Sequence, residues 1–297
     1  MFLARLQAAI TIGSCLVFWA LAAWAWSHSR VLAGWLIAGP LLITPALFTL
    51  QFAMLAVVNR HDPAPRANPR QFFSAWAGEL RAAALVFSWW QPFCRAAYPD
   101  RLEPKAQRGV VLVHGFFCNR GFWHEWKQRL TQEGRVFAAV DLEPSFGSVD
   151  AYVDTIERTV RSVTQATGQS PLLVCHSMGG VAARAWAVAH EGAKRAHRIV
   201  TLGTPHHGTW LARLSFSTNG RQMRLQSPWL QRLQNGESPT VGANFVCFYS
   251  NCDNIVFPVT NATLENADNR LVHGYGHVEL AFSKQVRSQV WAMLDER

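Results

Sequence analysis

Charge is almost missing from the first 58 residues: Leu6 to Trp26 holds no Asp, Glu, Lys or Arg, and neither does Val31 to Val58. Each run exceeds the roughly 20 apolar residues that cross a bilayer as a helix. The absence excludes a solvated polar face and predicts two transmembrane helices joined by the turn SHSR at residues 27–30. Pro40 and Pro45 interrupt the second run, as membrane helices tolerate where neighbours satisfy the freed backbone. Trp24, Trp26 and Trp35 flank the turn, where interfacial aromatics belong. The competing reading is a cleaved secretory signal, with Arg5 as its charged start and AWA at 23–25 as its cleavage site. Its apolar stretch is long for a signal, where about 7 to 15 residues are usual.

Close cysteine pairs are also missing. The six cysteines, at 15, 94, 118, 175, 247 and 252, include no CxxC of the kind that holds metal, and free thiols fit a reducing compartment without excluding disulfides. Acidic residues are scarce near the apolar runs. Residues 1–108 carry 10 Lys and Arg against 4 Asp and Glu, or +6, whereas residues 109–297 carry 18 against 15, or +3. The basic excess therefore lies beside the predicted membrane segment, where it attracts anionic headgroups, and is no argument for nucleic acid. Arg60, Arg66, Arg70 and Arg81 follow the second run while the turn has only Arg30. By the positive-inside rule, the N-terminus and the large C-terminal part are expected on the cytoplasmic side.

With 297 residues, 49% of them hydrophobic, the rest of the chain can bury a sizeable core. Residues 1–58 read as the anchor, and residues 59–70, NRHDPAPRANPR, as a basic, Pro-rich linker. In residues 71–93, Phe72, Trp76, Leu80 and Phe87 recur at roughly helical spacing. This segment is either an amphipathic helix on the membrane surface or one packed on the following domain. From residue 109, short apolar runs at 109–113, 136–140, 171–175, 198–202, 244–249 and 270–272 alternate with helical stretches at 122–133, 150–166, 179–191 and 281–295. That alternation predicts an α/β fold with a mostly parallel sheet covered by helices on both faces. Residues from about 210 to 240 interrupt it with Trp210, Leu211, Leu214, Phe216, Leu225, Trp229, Leu230 and Leu233, too long and apolar for an ordinary connection, and read as a cap.

The stretch LLVCHSMGGVAA, residues 172–183, passes from an apolar run to a small-residue helix start with Ser177 at the corner. Such a serine is either a helix cap or the nucleophile of a strand-turn-helix elbow. The elbow needs small residues two positions away on each side, here Cys175 and Gly179. Acid and base are expected downstream, beyond strand ends. Asp253 follows the run NFVCFYS, with Asp268 in reserve, and His277 follows the last run, with His273 as competitor. Glycines at 274 and 276 place His277 on a mobile, exposed loop. His277 would take the Ser177 proton and Asp253 would orient the imidazole. The N–H of Met178 and that of Phe116, after the turn at His114 and Gly115, would hold an oxyanion.

Together VHGF, CHSMGG, TLGTPHHGT, QMRLQSPWLQRL, DNIVFP and GYGHVEL resemble, in order, motifs of the bacterial lipase and esterase group of α/β-hydrolases. The resemblance covers about residues 109–297; Cys175 departs from the elbow's first glycine, and the two N-terminal helices lie outside it. It implies the α/β-hydrolase fold, catalytic Ser177, Asp253 and His277, oxyanion donors at Phe116 and Met178, a cleft lined by His114, Gly115, His176 and His206, and no cofactor. The adjacent His206 and His207 lack the further ligands a metal needs. The expected partners are a lipid or other acyl-ester substrate and the inner membrane bilayer of a bacterium, and not nucleic acid. Hydrolysis, acyl transfer through the same acyl-enzyme, and an inactive hydrolase-fold scaffold all remain open; oligomeric state is not legible.

Overall fold

The computed structural model describes residues 2–296. Two long helices, α1 (Phe2–His28) and α2 (Arg30–Val58), form a hairpin whose side chains mostly face outward. Both are long and apolar enough to cross a membrane. Small residues close the hairpin, with Ala22, Ala25 and Ala33 buried. The last turns of α2 pack Phe52 and Leu55 against Ala75, Cys252, Phe257 and Val259.

Helix α3 (Pro69–Leu85) starts at Asn68, which accepts from the Gln71 N–H while the Gln71 side chain returns to the Asn68 N–H. Pro69 at the first position suits that start. The helix continues through one wide turn, Val86–Trp90, into α4 (Gln91–Phe93). One face of residues 71–93 packs on the following domain: Ala75, Glu79, Ala82 and Ala83 are buried, and Val86 and Trp90 join the core beneath the sheet, while Trp89 and Phe93 stay exposed. Phe73 remains exposed.

Six strands follow: β1 (Val110–Val113), β2 (Phe137–Ala139), β3 (Leu172–His176), β4 (Arg198–Leu202), β5 (Phe245–Ser250) and β6 (Asp268–Val272). They lie in the order β2-β1-β3-β4-β5-β6, all parallel. The apolar runs thus form a parallel sheet whose strands β1 to β5 are buried on both faces, as continuous Val- and Leu-rich strands require, while the edge strand β6 is buried only at Val272. Alternate residues divide between two cores. Val111, Val113, Leu173, Cys175, Ile199 and Phe245 face α6 (Val153–Thr167) and α7 (Met178–Ala189), while Leu112, Leu172, Val174, Val200 and Phe248 face α5 (His124–Gln132) and α11 (Lys284–Asp295). Residues 210–236 fold as a short 3-10 turn, Trp210–Leu214, then α8 (Thr218–Gln222) and α9 (Pro228–Gly236). Trp229, Leu230 and Leu233 of α9 enter the first core, whereas Leu214 and Phe216 stay exposed. The remaining helix, α10 (His277–Leu280), is a single turn after β6.

Candidate active site

β3 occupies the middle of the sheet, and the chain reverses at its carboxyl end through Ser177, whose φ of 53° and ψ of −127° lie where side chains are rarely tolerated. The Ser177 hydroxyl does not cap α7, so the cap reading of this serine fails. The turn is held instead from its backbone: Ser177 N–H donates to Leu202 O at 2.9 Å, and Thr204 Oγ1 donates to Ser177 O at 2.9 Å. Close approach explains the small neighbours. A Cβ on Gly179 would stand 2.5 Å from Val113 O, and one on Gly115 would stand 2.8 Å from Ser177 Cβ. Cys175, at the departure from the usual elbow, is fully buried in the core and leaves the turn intact.

Gly115 belongs to the turn after β1. The N–H of Phe116 has no acceptor among the described residues, and that of Met178 opens α7, where no intrahelical partner exists. Both are therefore free to receive an anion. An aromatic wall adjoins this turn: Phe146 packs on Phe116 and Phe117 at 5.9 and 6.1 Å, and Phe117 on Phe87 at 6.4 Å.

Asp253, in the loop after β5, accepts the Nδ1–H of His277 on Oδ2 at 2.9 Å. Its Oδ1 accepts the N–H groups of Ile255 and Val256 at 2.9 and 2.8 Å, so the carboxylate is fixed at both oxygens. The reserve candidates fall elsewhere. Asp268 is exposed at the start of β6 and pairs with Arg270, and His273 is exposed beside Asn251. His277 is not on an exposed loop as expected: it is 4% exposed, the first residue of α10, with Gly274 and Gly276 making the tight approach rather than a mobile one. Burial lowers the His277 pKa, but the charge and hydrogen bond of Asp253, with Glu79 behind, outweigh it and leave the pKa raised.

The other expected cleft residues serve the frame. His114 accepts the Leu142 N–H on Nε2 at 3.1 Å, which leaves its Nδ1–H for Gly115 O at 3.0 Å. His176 donates Nε2–H to His277 O at 3.2 Å, with its ring between Phe122 and His277. Burial pushes the pKa of both down, and that of His176 far down, which favours the neutral rings. His206 does not reach the cleft. It is buried with Nε2 against Thr201 and Cys247, while its carbonyl accepts from Arg184, which also grips Glu237 through two 2.7 Å bonds. That buried ion pair ties α7 to the end of α9.

Three polar residues not singled out in the sequence reach this machinery. Asn254 Oδ1 accepts the His277 N–H at 3.1 Å. Its Nδ2 donates to Gln51 of α2 at 2.7 Å. Glu79 of α3, 1% exposed, accepts the N–H groups of Val278 and Glu279 at 2.9 to 3.0 Å; burial pushes its pKa up to about 7 against those bonds and the nearby His277.

A family model described as alpha/beta hydrolase family matches residues 110–258, which is half of the chain. The chain belongs to the alpha/beta hydrolase family. Among solved alpha/beta-hydrolase structures, the mature form of the Bacillus licheniformis lipase BlEst2 superposes with a TM-score of 0.57 at 19% identity, over 66% of this chain and 95% of the other. The propeptide form gives 0.54 at 18% identity, over 68% of this chain and 52% of the other. A probable lysophospholipase of Arabidopsis thaliana, BODYGUARD 1, is 30% identical over 118 residues, 35% of this chain. The matched part spans only 24% of that relative's length. The parallel sheet with helices on both faces is thus the alpha/beta-hydrolase fold, shared with structures that include a lipase.

Proposed function

We propose that this hydrolase is a membrane-anchored serine ester hydrolase that cleaves acyl esters of lipids through an acyl-enzyme. The observation that carries this reading is the strained turn at Ser177, opening between two free N–H groups and backed by the Asp253–His277 pair. With Nδ1–H committed to Asp253, His277 has Nε2 available as the proton acceptor. Ser177 Oγ attacks the ester carbonyl carbon as Nε2 takes its proton, and Asp253 stabilises the imidazolium. The carbonyl oxygen becomes an oxyanion held by the N–H groups of Phe116 and Met178. Collapse expels the alcohol, which leaves with the proton from His277, and water repeats the sequence to release the acid.

The lipid part of the reading is supported by the apolar hairpin, the phenylalanine wall beside the oxyanion turn and the exposed Leu214 and Phe216. It is also in keeping with the relatives, a lipase and a probable lysophospholipase. The hairpin would hold the enzyme in a bacterial inner membrane with the hydrolase domain on the cytoplasmic side, where its flanking arginines belong.

The test is fluorophosphonate labelling of the detergent-solubilised full chain and of Ser177→Ala, followed by acid release from p-nitrophenyl esters of increasing acyl length. Labelling lost in the variant establishes the nucleophile. Each buried CH₂ contributes roughly 0.8 kcal/mol, so a lipid enzyme favours the longer chains. Folded wild-type protein that takes no label refutes the mechanism, and turnover confined to short esters refutes the lipid assignment.

A further inference from the structure

Each helix of the N-terminal hairpin sends one glutamine into the frame of the candidate active site. On α2, Gln51 Oε1 accepts Asn254 Nδ2–H at 2.7 Å, and the other end of the same amide, Asn254 Oδ1, accepts the His277 N–H at 3.1 Å. Asn254 is fully buried. A primary amide presents nearly the same shape when turned end for end, so only its partners decide which end faces where. Gln51 supplies the acceptor that fixes the NH₂ end away from His277. Without it, the turned amide would set a donor against the His277 N–H and free the backbone that carries the imidazole.

On α1, Gln7 is 4% exposed. Its Oε1 accepts from Asn119 Nδ2 at 3.1 Å, and its Nε2 donates to Phe117 O at 3.3 Å and Gln91 Oε1 at 3.4 Å. Gln91 Oε1 in turn accepts the Asn119 N–H at 2.9 Å. These bonds clamp the segment after the His114–Gly115 turn, where Phe117 holds a left-handed φ of 56° and the adjacent Phe116 presents its free N–H. One glutamine thus braces the base and the other braces an oxyanion donor.

We infer that Gln51 and Gln7 are positioning residues for catalysis, so that the hairpin is a structural part of the active site as well as an anchor. The inference rests on the serine-hydrolase reading above. Neither side chain touches substrate; each acts through the loop it holds. A base or donor displaced by a fraction of an ångström loses rate in the chemical step while binding survives.

The test uses the full-length chain in detergent with p-nitrophenyl butyrate, a soluble ester that does not depend on delivery from a bilayer. Gln51→Leu and Gln7→Leu are each expected to lower kcat about tenfold with KM within about twofold. Gln51→Glu keeps the acceptor and is expected to restore most of the rate. Gln51 works through Asn254, so the Gln51→Leu, Asn254→Ala double variant is expected to be no slower than Asn254→Ala alone. Gln51→Met replaces the leucine variant should that one not fold. Unchanged kcat in folded glutamine variants, or losses at Gln51 and Asn254 that multiply, overturns the inference. Ser177→Ala is run beside them. If that variant stays active, the serine reading has failed; if it is dead while the glutamine variants are normal, only the positioning role has failed.

Discussion

Gly203 and Asp253 meet so closely that a single methyl group would separate the acid from its histidine. A Cβ on Gly203 would stand 2.8 Å from Asp253 Oδ2 and 3.1 Å from His277 Nδ1, and the residue holds a φ of +56° that favours glycine. Gly203→Ala is expected to lower kcat at least about 100-fold through displacement of the pair, with the fold retained. Steady-state kinetics beside near-ultraviolet circular dichroism would check it; a folded variant of normal rate would show that the 253–277 bond is dispensable.

Under the proposed mechanism, the raised pKa of His277 sets the acid limb of activity. Below that pKa the ring is protonated and cannot take the Ser177 proton, so kcat/KM should rise with pH through a value above the ordinary 6.5. Asp253→Asn leaves the burial that lowers this pKa and removes the charge that raises it. The limb should then move to lower pH while kcat falls by about 10⁴-fold, as expected when the orienting carboxylate is lost. A pH profile of both proteins with a soluble ester measures the two effects together.

Glu79 makes stability depend on pH. Its pKa rises from 4.5 in the unfolded chain to about 7 in the fold, so the folded state binds its proton more tightly. The associated stability is fully present below pH 4.5 and is lost as pH rises towards 7, by at most about 3 kcal/mol. Glu79→Gln cannot titrate. The difference in melting temperature between wild type and this variant should therefore drift against wild type between pH 4.5 and 7, and a constant difference would count against the buried carboxyl.

Arg184 and Glu237 are 1% and 6% exposed, and removing one partner strands the other charge in the core. Arg184→Met is expected to cost about 3 to 5 kcal/mol of stability, and adding Glu237→Leu to recover much of it. Urea denaturation of the single and double variants tests this. A double variant no better than the single would assign the loss to the missing bond from Arg184 to His206 O.

Most of the sheet was legible because its inner strands are short, buried and separated by helices, which leaves apolar runs such as LLVC at 172–175, whereas the edge strand β6, DNRLV, is buried only at Val272 and shows just its last residues as a run. The turn at Ser177 and the pairing of Asp253 with His277 could be expected because a parallel sheet delivers its strand ends to one edge. The surroundings of those residues were not. Gly274 and Gly276 read as looseness, yet a Cβ on Gly276 would stand 2.6 Å from the Glu79 side chain, so they mark crowding. His206 has the composition of a cleft residue but faces inward to Thr201. Gln7 and Gln51 sat inside runs noted for lacking charge, and a lone amide there carries no periodic signal. The Gln51–Asn254 contact joins residues 203 positions apart, a separation that local pattern does not register.

The rest of the chain grips the hairpin near Leu3, Ala4 and Gln7 of α1 and from Thr49 in the last turns of α2 to Asp62 just beyond it, through bonds that include Trp76 to Thr49 and Asp62 to Thr260. Two separated grips at one end of a hairpin oppose a swivel. With the hairpin embedded as proposed, the catalytic mouth keeps a single heading relative to the sheet of lipid, and search for substrate becomes a two-dimensional problem. The rate would then follow how many ester molecules occupy each unit of membrane area, and diluting the lipid within the bilayer would slow the enzyme where diluting the vesicles in buffer would not.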